Sequence, residues 1–172
     1  VRSRRQRQMC IRAARKEDLP DILEIYNDAI INTTAVYTYD PKELEERLQW
    51  FETKSIAEEP IWVYVKDHHV VGYATYGSFR DWPAYLYSIE HSIYVDPDYR
   101  GQGIASKLLE TLIQVAKAKN YRTIVAGIDA SNVGSIELHK KFNFTHAGTI
   151  KNVGYKFERW LDLAFYQLDL HQ

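Results

Sequence analysis

Gly101 and Gly103, one residue apart, follow Arg100 and precede Ile104-Ala105-Ser106, and this segment has the clearest chemical potential in the chain. At a helix start, unpaired backbone N–H groups and the positive end of the dipole can hold a pyrophosphate. Glycine removes the Cβ that would keep phosphates off the backbone and reaches positive φ at no steric cost. Arg100 adds a charged donor, and Gln102 sits between the two glycines. Lys107 lacks the glycine spacing of a P-loop, and position 106 is Ser where a dinucleotide fingerprint needs Gly, so both of those nucleotide classes are disfavoured. Alone, the segment says only that a helix start could hold phosphates.

Glu90 lies five residues before Val95, on the strand face opposite Ile89 and Ile93. Partly desolvated there, a carboxylate gains a raised pKa and can accept a proton; facing solvent, it is an ordinary strand residue. His139 follows Ser135 by one helical turn and is either a proton-handling residue or a packed one. Asn132 could cap a helix, contact a ligand, or both. His68 and His69 are adjacent at a turn, where their side chains need not converge, so no metal is expected.

These groups need elements to position them. Ile11–Ala13 is a short strand. Pro20 starts a helix with Ile22, Tyr26, Ala29 and Ile30 as its apolar stripe. Asp40-Pro41-Lys42-Glu43 looks like a second helix start, with Leu44, Leu48 and Phe51 on one side. Ile61–Lys66 and Val70–Tyr76, separated by Asp67-His68-His69, read as a hairpin. Tyr85–Val95 is the next strand, and Gly103–Lys119 an amphipathic helix with Ile104, Leu108, Leu112, Val115 and Ala116 at core spacing. Thr123–Ile128 is a short apolar strand. Ser131 or Asn132 caps a helix burying Ile136 and Leu138, and Phe144–Ile150 and Phe157–Leu170 complete an α/β domain with a mixed sheet.

At 172 residues, with 45% apolar and 13% aromatic content, the chain fits one ordinary globular domain spanning 9–172. Cys10 is the only cysteine, which excludes an intrachain disulfide and makes a reducing, cytoplasmic setting the expectation. No apolar run reaches the roughly 20 residues of a membrane span. Residues 1–8 carry four arginines and no acid, against a net charge of −1. They are expected to be a disordered basic extension ahead of a start at Met9. The remainder is acidic and offers no broad basic face for nucleic acid.

Val95-Asp96-Pro97-Asp98-Tyr99-Arg100-Gly101-Gln102-Gly103-Ile104-Ala105 resembles the V-x-P-x-x-R-G-x-G-[IL]-[GA] signature of the GNAT acetyltransferases. Further blocks resemble their phosphinothricin and methionine sulfoximine acetyltransferase branch: Tyr26–Ile30 with Asn32–Ala35, Gly77–Arg80, Glu90–Val95, Ala126–Asn132, and Gly154–Phe157 followed by Arg159–Asp162. The resemblance runs from about Met9 to Leu170. It implies a GNAT fold: a mixed, mostly antiparallel sheet with a splayed strand pair and about four flanking helices. The strand ending at Val95 is then expected to carry a bulge and to diverge from the Thr123–Ile128 strand.

The resemblance further implies that acetyl-CoA is the cosubstrate and that no metal takes part. Its pantetheine arm would lie against the backbone of Ile93, Tyr94 and Val95, its pyrophosphate against residues 100–106, and Asn132 and Ser135 would contact the arm. It makes Glu90 the general base. His139, where many members carry Tyr, becomes a second proton-handling or orienting residue. Phe79, Arg80, Pro83, Ala84 and Tyr85 would contribute to the acceptor pocket and to a homodimer contact, with Val153–Leu163 as a second interface element. A guanidinium suits an acceptor's carboxylate or phosphinate; a loop packed on the sheet is the plainer account of the same residues.

Asn143 stands where relatives end a helix with Gly, a substitution asparagine tolerates best. Leu86 and Glu158 also depart from common Arg and Gly residues, which leaves acceptor details open. The leading expectation is acetylation of the α-amine of a small amino acid or analogue. A GNAT acting on protein or peptide amines would need an open groove. A non-catalytic CoA-binding module would not need both Glu90 and His139.

Overall fold

In the computed structural model, residues 9–171 are described, and the basic 1–8 segment lies outside them. The elements follow one another as β1 (Met9–Ala13), α1 (Leu19–Asn32), α2 (Leu44–Ile56), β2 (Ile61–Lys66), β3 (His69–Ser78), β4 (Ser88–Val95), α3 (Ile104–Ala118), β5 (Thr123–Asp129), α4 (Val133–Lys141), β6 (Thr145–Lys156) and β7 (Arg159–Asp169). The strands form one sheet in the order β1-β2-β3-β4-β5-β7-β6. All neighbours are antiparallel except β4 and β5, whose parallel pairing requires the crossover that α3 supplies. This is the mixed, mostly antiparallel sheet the sequence implies.

One core packs α1 and α2 on the sheet through Leu19, Ile22, Ile25, Val63 and Tyr73. The other packs α3 on the opposite face through Ile104, Leu108, Leu109 and Leu112, against Ile89, Ile124 and Ala126. Ile25 joins the α1 stripe, whereas Tyr26 is only half-buried. Leu108 is fully enclosed. Leu108→Ala is therefore expected to cost about 2–5 kcal/mol, read as a lower denaturant midpoint at an unchanged slope.

Helix α2 starts at Leu44, with Glu46 accepting from the Glu43 N–H at 2.7 Å, not at Asp40-Pro41 as the sequence suggests. The reason is long-range. The Asn27 side chain accepts from the Lys42 N–H at 2.7 Å and donates to the Lys42 carbonyl at 2.9 Å, so Lys42 is tied to α1. Leu44 is then exposed, and the buried α2 residues are Arg47 and Lys54.

Both tight hairpins turn on two residues of positive φ: Asp67 and His68 between β2 and β3, and Phe157 and Glu158 between β6 and β7. Such turns match the twist of the strands they join. His69 and Phe157 thus exchange their expected places, since His69 pairs with Lys66 while Phe157 leaves the strand. Strand β4 begins at Ser88, because Pro83–Tyr85 forms a 3₁₀ turn. The expected bulge is not found in its pairing with β3, which stays in register from Gly72/Val95 to Ser78/Ile89. Asn143 takes φ 69° after α4, filling the left-handed position usually held by glycine.

Candidate active site

Strands β4 and β5 pair only at Ser88/Thr123, Ile89/Ile124 and Glu90/Val125. Beyond Glu90 they part, although β4 continues to Val95 and β5 to Asp129. One edge of His91–Val95 therefore faces a gap without a strand to pair with. Backbone groups left open in this way can bond an extended ligand that carries amides. Ile93, Tyr94 and Val95 lie along this edge.

Past Val95, a 3₁₀ turn at Pro97–Tyr99 leads to Arg100 and the two glycines. Gly101 and Gly103 have φ of 74° and 78°, and a Cβ at either would meet nothing within 4 Å. The loop is thus glycine-dependent for its conformation and open in front of its backbone. Helix α3 starts immediately after, with no acid in its first turn, so Ile104, Ala105 and Ser106 present N–H groups at an unopposed positive dipole end. Arg100 lies 3.7 Å from Asp28, and Gln102 accepts from Lys66 at 2.7 Å. Lys66, at the end of β2, adds a cation that sequence reasoning missed. Nothing local in sequence marks it, because only sheet pairing brings it to the loop.

Glu90 is half-buried on the α1/α2 side of β4. A Cβ built on Gly127 of β5 would stand 3.4 Å from Glu90 Oε1, so the carboxylate lies beside the β5 backbone at that position. Burial pushes the Glu90 carboxyl above its usual range, and the positive charge of Arg80 opposes that rise. A carboxylate held this way is a better proton acceptor than one in water.

His139 reaches the same gap from the opposite side. It is buried between α4 and the sheet, with Nδ1 2.7 Å from the Ser135 carbonyl oxygen and Nε2 3.0 Å from His91 Nε2. Burial lowers the pKa of His139; burial and then the His139 charge lower that of His91 to about 3. Glu90 and His91 are adjacent, so strand alternation sends them to opposite faces. Asn132 caps α4 by accepting from the Ser135 N–H at 3.1 Å, and it is exposed, so capping leaves it accessible from outside.

Phe79 and Tyr85 stack edge-to-face at 5.7 Å and line a cleft of about 510 Å³ on the Glu90 side of the sheet, floored by Ser88, Val125 and Phe165. Arg80 folds over the Phe79 ring at 4.3 Å and donates to the Phe79 carbonyl at 2.7 Å. Arg80, Pro83 and Ala84 do not line this cleft, so the expected acceptor set divides. A second cavity of about 360 Å³ lies between Asn32–Ala35, Asn132 and Arg159. Beside it, buried Asp129 accepts from Thr34 Oγ1 and from the Ser131 N–H at 3.1 Å. Desolvation alone would raise its pKa, but these bonds hold it below the usual range. Lys156, almost fully buried, donates to the carbonyls of Thr33 and Val36 at 2.7 and 2.8 Å, fixing the α1–α2 connection against the last hairpin. Among the described residues no group of three potential ligands converges on a metal site, and no helix is long and apolar enough to cross a membrane.

The one parallel pair of the sheet thus splays, with a glycine loop and a helix start at the head of the gap. The family model described as "Acetyltransferase (GNAT) family" matches residues 19–144. The L-methionine sulfoximine/L-methionine sulfone acetyltransferase of Pseudomonas aeruginosa is 44% identical over 161 residues, 93% of this chain and 94% of that protein. Among solved structures, an N-acetyltransferase from Staphylococcus aureus superposes with a TM-score of 0.94 at 68% identity, covering 94% of this chain and 98% of the other. A phosphinothricin acetyltransferase from Sinorhizobium meliloti, solved in complex with AcCoA, gives 0.91 at 35% identity, over 94% and 88% of the two chains. The chain belongs to the GNAT family of acetyltransferases. Its enzymatic class is N-acetyl transfer.

Proposed function

We propose that this chain moves the acetyl group of acetyl-CoA to the α-amine of a small amino acid or analogue, of the methionine sulfoximine, methionine sulfone or phosphinothricin type. The observation that carries this reading is Glu90: a half-buried carboxylate in the last residue pair before β4 and β5 diverge, on the side where the aromatic cleft opens. Donor and acceptor then meet in the gap. The pyrophosphate lies along 100–106, and the pantetheine arm along Ile93–Val95 with Asn132 and Ser135 beside it. Glu90 takes the ammonium proton directly or through one water. The freed amine forms the C–N bond at the thioester carbonyl, the C–S bond breaks, and the nitrogen's second proton passes to the departing sulfur, giving the neutral amide and the free CoA thiol. No acyl-enzyme is needed.

His139 is an orienting residue in this scheme, because its Nδ1 is committed to the Ser135 carbonyl and its burial disfavours an imidazolium. Phe79 and Tyr85 hold the acceptor's side chain, and Arg80 approaches its carboxylate after swinging off Phe79. Exposed Trp82, Leu86 and Tyr87 in the loop before β4, with Ile150, Val153, Tyr155 and Trp160 on the last hairpin, support a homodimer contact. A cytoplasmic site of action accompanies this reading. The test is a panel of free amino acids, methionine sulfoximine, methionine sulfone, phosphinothricin and short peptides with acetyl-CoA, read by thiol release. Turnover of the analogues with silence from peptides is expected, whereas no turnover of any amino acid analogue would remove the acceptor claim. Sedimentation tests the dimer separately.

A further inference from the structure

The two imidazoles behind the gap constrain each other through hydrogen bonding alone. A carbonyl oxygen only accepts, so the 2.7 Å contact between His139 Nδ1 and the Ser135 oxygen places a proton on Nδ1. A neutral His139 then carries a lone pair on Nε2. His91 Nε2 lies 3.0 Å away, so the bond requires its proton to be on the His91 nitrogen. His91 Nδ1 is left as a bare acceptor, and it is a buried atom with no partner among the described residues. An orphaned lone pair in a core has a cost, and it persists only where the rest of the arrangement holds it. Phe144 packs its ring on both imidazoles, with centroids 5.0 Å from His139 and 5.9 Å from His91.

The pair also has a defined place in the fold. His91 is the first β4 residue after the last parallel pair, Glu90/Val125, and His139 sits on the helix that follows β5. The bond therefore bridges the two sides of the gap just where they separate. We propose that His91 is a positioning residue for acetyl transfer, donating its Nε2–H to His139 and so reinforcing the tautomer that the Ser135 carbonyl sets and fixing the ring's orientation and distance from the reacting thioester. This rests on the reading that His139 takes part in the reaction. His91 falls within the Glu90–Val95 block, but nothing in the sequence shows that it meets His139, since it lies one position from Glu90 on the other face.

The test uses the full chain with three substitutions at His91, assayed with acetyl-CoA and any amine that the wild type turns over. Gln can bring an amide N–H to the Nε2 position, Asn to the Nδ1 position only, and Phe fills the volume with no donor. His91→Phe and His91→Asn are expected to lower kcat roughly tenfold or more with little change in acetyl-CoA KM, and His91→Gln to recover most of the loss. Adding His91→Phe to His139→Phe should cost nothing further in kcat, since the first acts through the second. In ¹⁵N-histidine NMR, His139 should appear as the single Nδ1–H tautomer in the wild type and lose that uniformity in His91→Phe.

If His139→Phe retains wild-type turnover, the role of His139 falls and the positioning claim with it. If His139→Phe is slow while folded His91→Phe is not, the positioning claim alone falls. Equal losses in His91→Gln and His91→Phe would also overturn it, because packing and not the donated bond would then be responsible. Should His91→Phe fail to fold, the Gln and Asn variants carry the comparison. The tautomer is read without any turnover, and a proton found on His139 Nε2 would overturn the geometry.

Discussion

Glu90→Gln is expected to lower turnover at neutral pH by about 10²–10³-fold while acetyl-CoA affinity stays within about twofold. The glutamine keeps the size and half-burial of the side chain beside Gly127, so the gap and the phosphate loop are undisturbed. Only the proton acceptor is lost. Because burial lifts the Glu90 carboxyl above its usual range, the acid limb of kcat/KM should lie above that of an exposed glutamate and vanish in the variant. The same shift has a consequence for stability. A carboxyl whose folded pKa exceeds its unfolded one contributes stability below the unfolded value and loses it as pH rises through the folded value. Removing the charge should therefore raise Tm near neutral pH and leave it unchanged below about pH 4. A folded Glu90→Gln with wild-type turnover would exclude this residue as the base.

Gly103→Val is expected to weaken acetyl-CoA binding by roughly tenfold or more, with the acceptor KM unchanged. Two effects combine. At φ 78° a β-branched residue is strained by roughly 1–2 kcal/mol, so the loop shifts or the fold weakens. The added side chain also projects into open space before the N–H groups of Ile104, Ala105 and Ser106, where a pyrophosphate would approach. Gly148 provides the control. A Cβ there also meets nothing within 4 Å, but its φ is not positive and it faces the acceptor cleft, so Gly148→Ala should leave acetyl-CoA affinity unchanged. Calorimetric titration of both variants with acetyl-CoA separates the cases. Wild-type affinity in a folded Gly103→Val would show that the loop is no cradle.

How far the chain could be read without coordinates depended on how local each signal was. Helix α3 was legible because its apolar residues repeat at helical spacing and its glycines sit at its own start. Asn143 was legible for the same reason, since a left-handed terminator is a property of one residue. The start of α2 was not: Asp40-Pro41 is a sound capping sequence, and Asn27, thirteen residues earlier, overrides it by clamping Lys42. Lys66 and His91 were missed because each meets its partner only in the folded chain, Gln102 in the loop before α3 and His139 on α4. The acceptor loop divided for a similar reason. Its residues adjoin in sequence, yet Phe79 and Tyr85 line the cleft while Arg80, Pro83 and Ala84 do not.

The divergence of β4 from β5 makes this protein's thermodynamic stability depend on its surroundings. A continuous sheet would spend the His91–Val95 edge on a permanent neighbour, and here that edge is left for a transient one. Any molecule that occupies it binds the folded chain and not the unfolded one. A ligand at a hundred times its dissociation constant then adds about 2.7 kcal/mol to the folded state. Resistance to heat and proteolysis should accordingly track the supply of cosubstrate, so that a starved cell and a fed one would hold molecules of different durability with the same sequence.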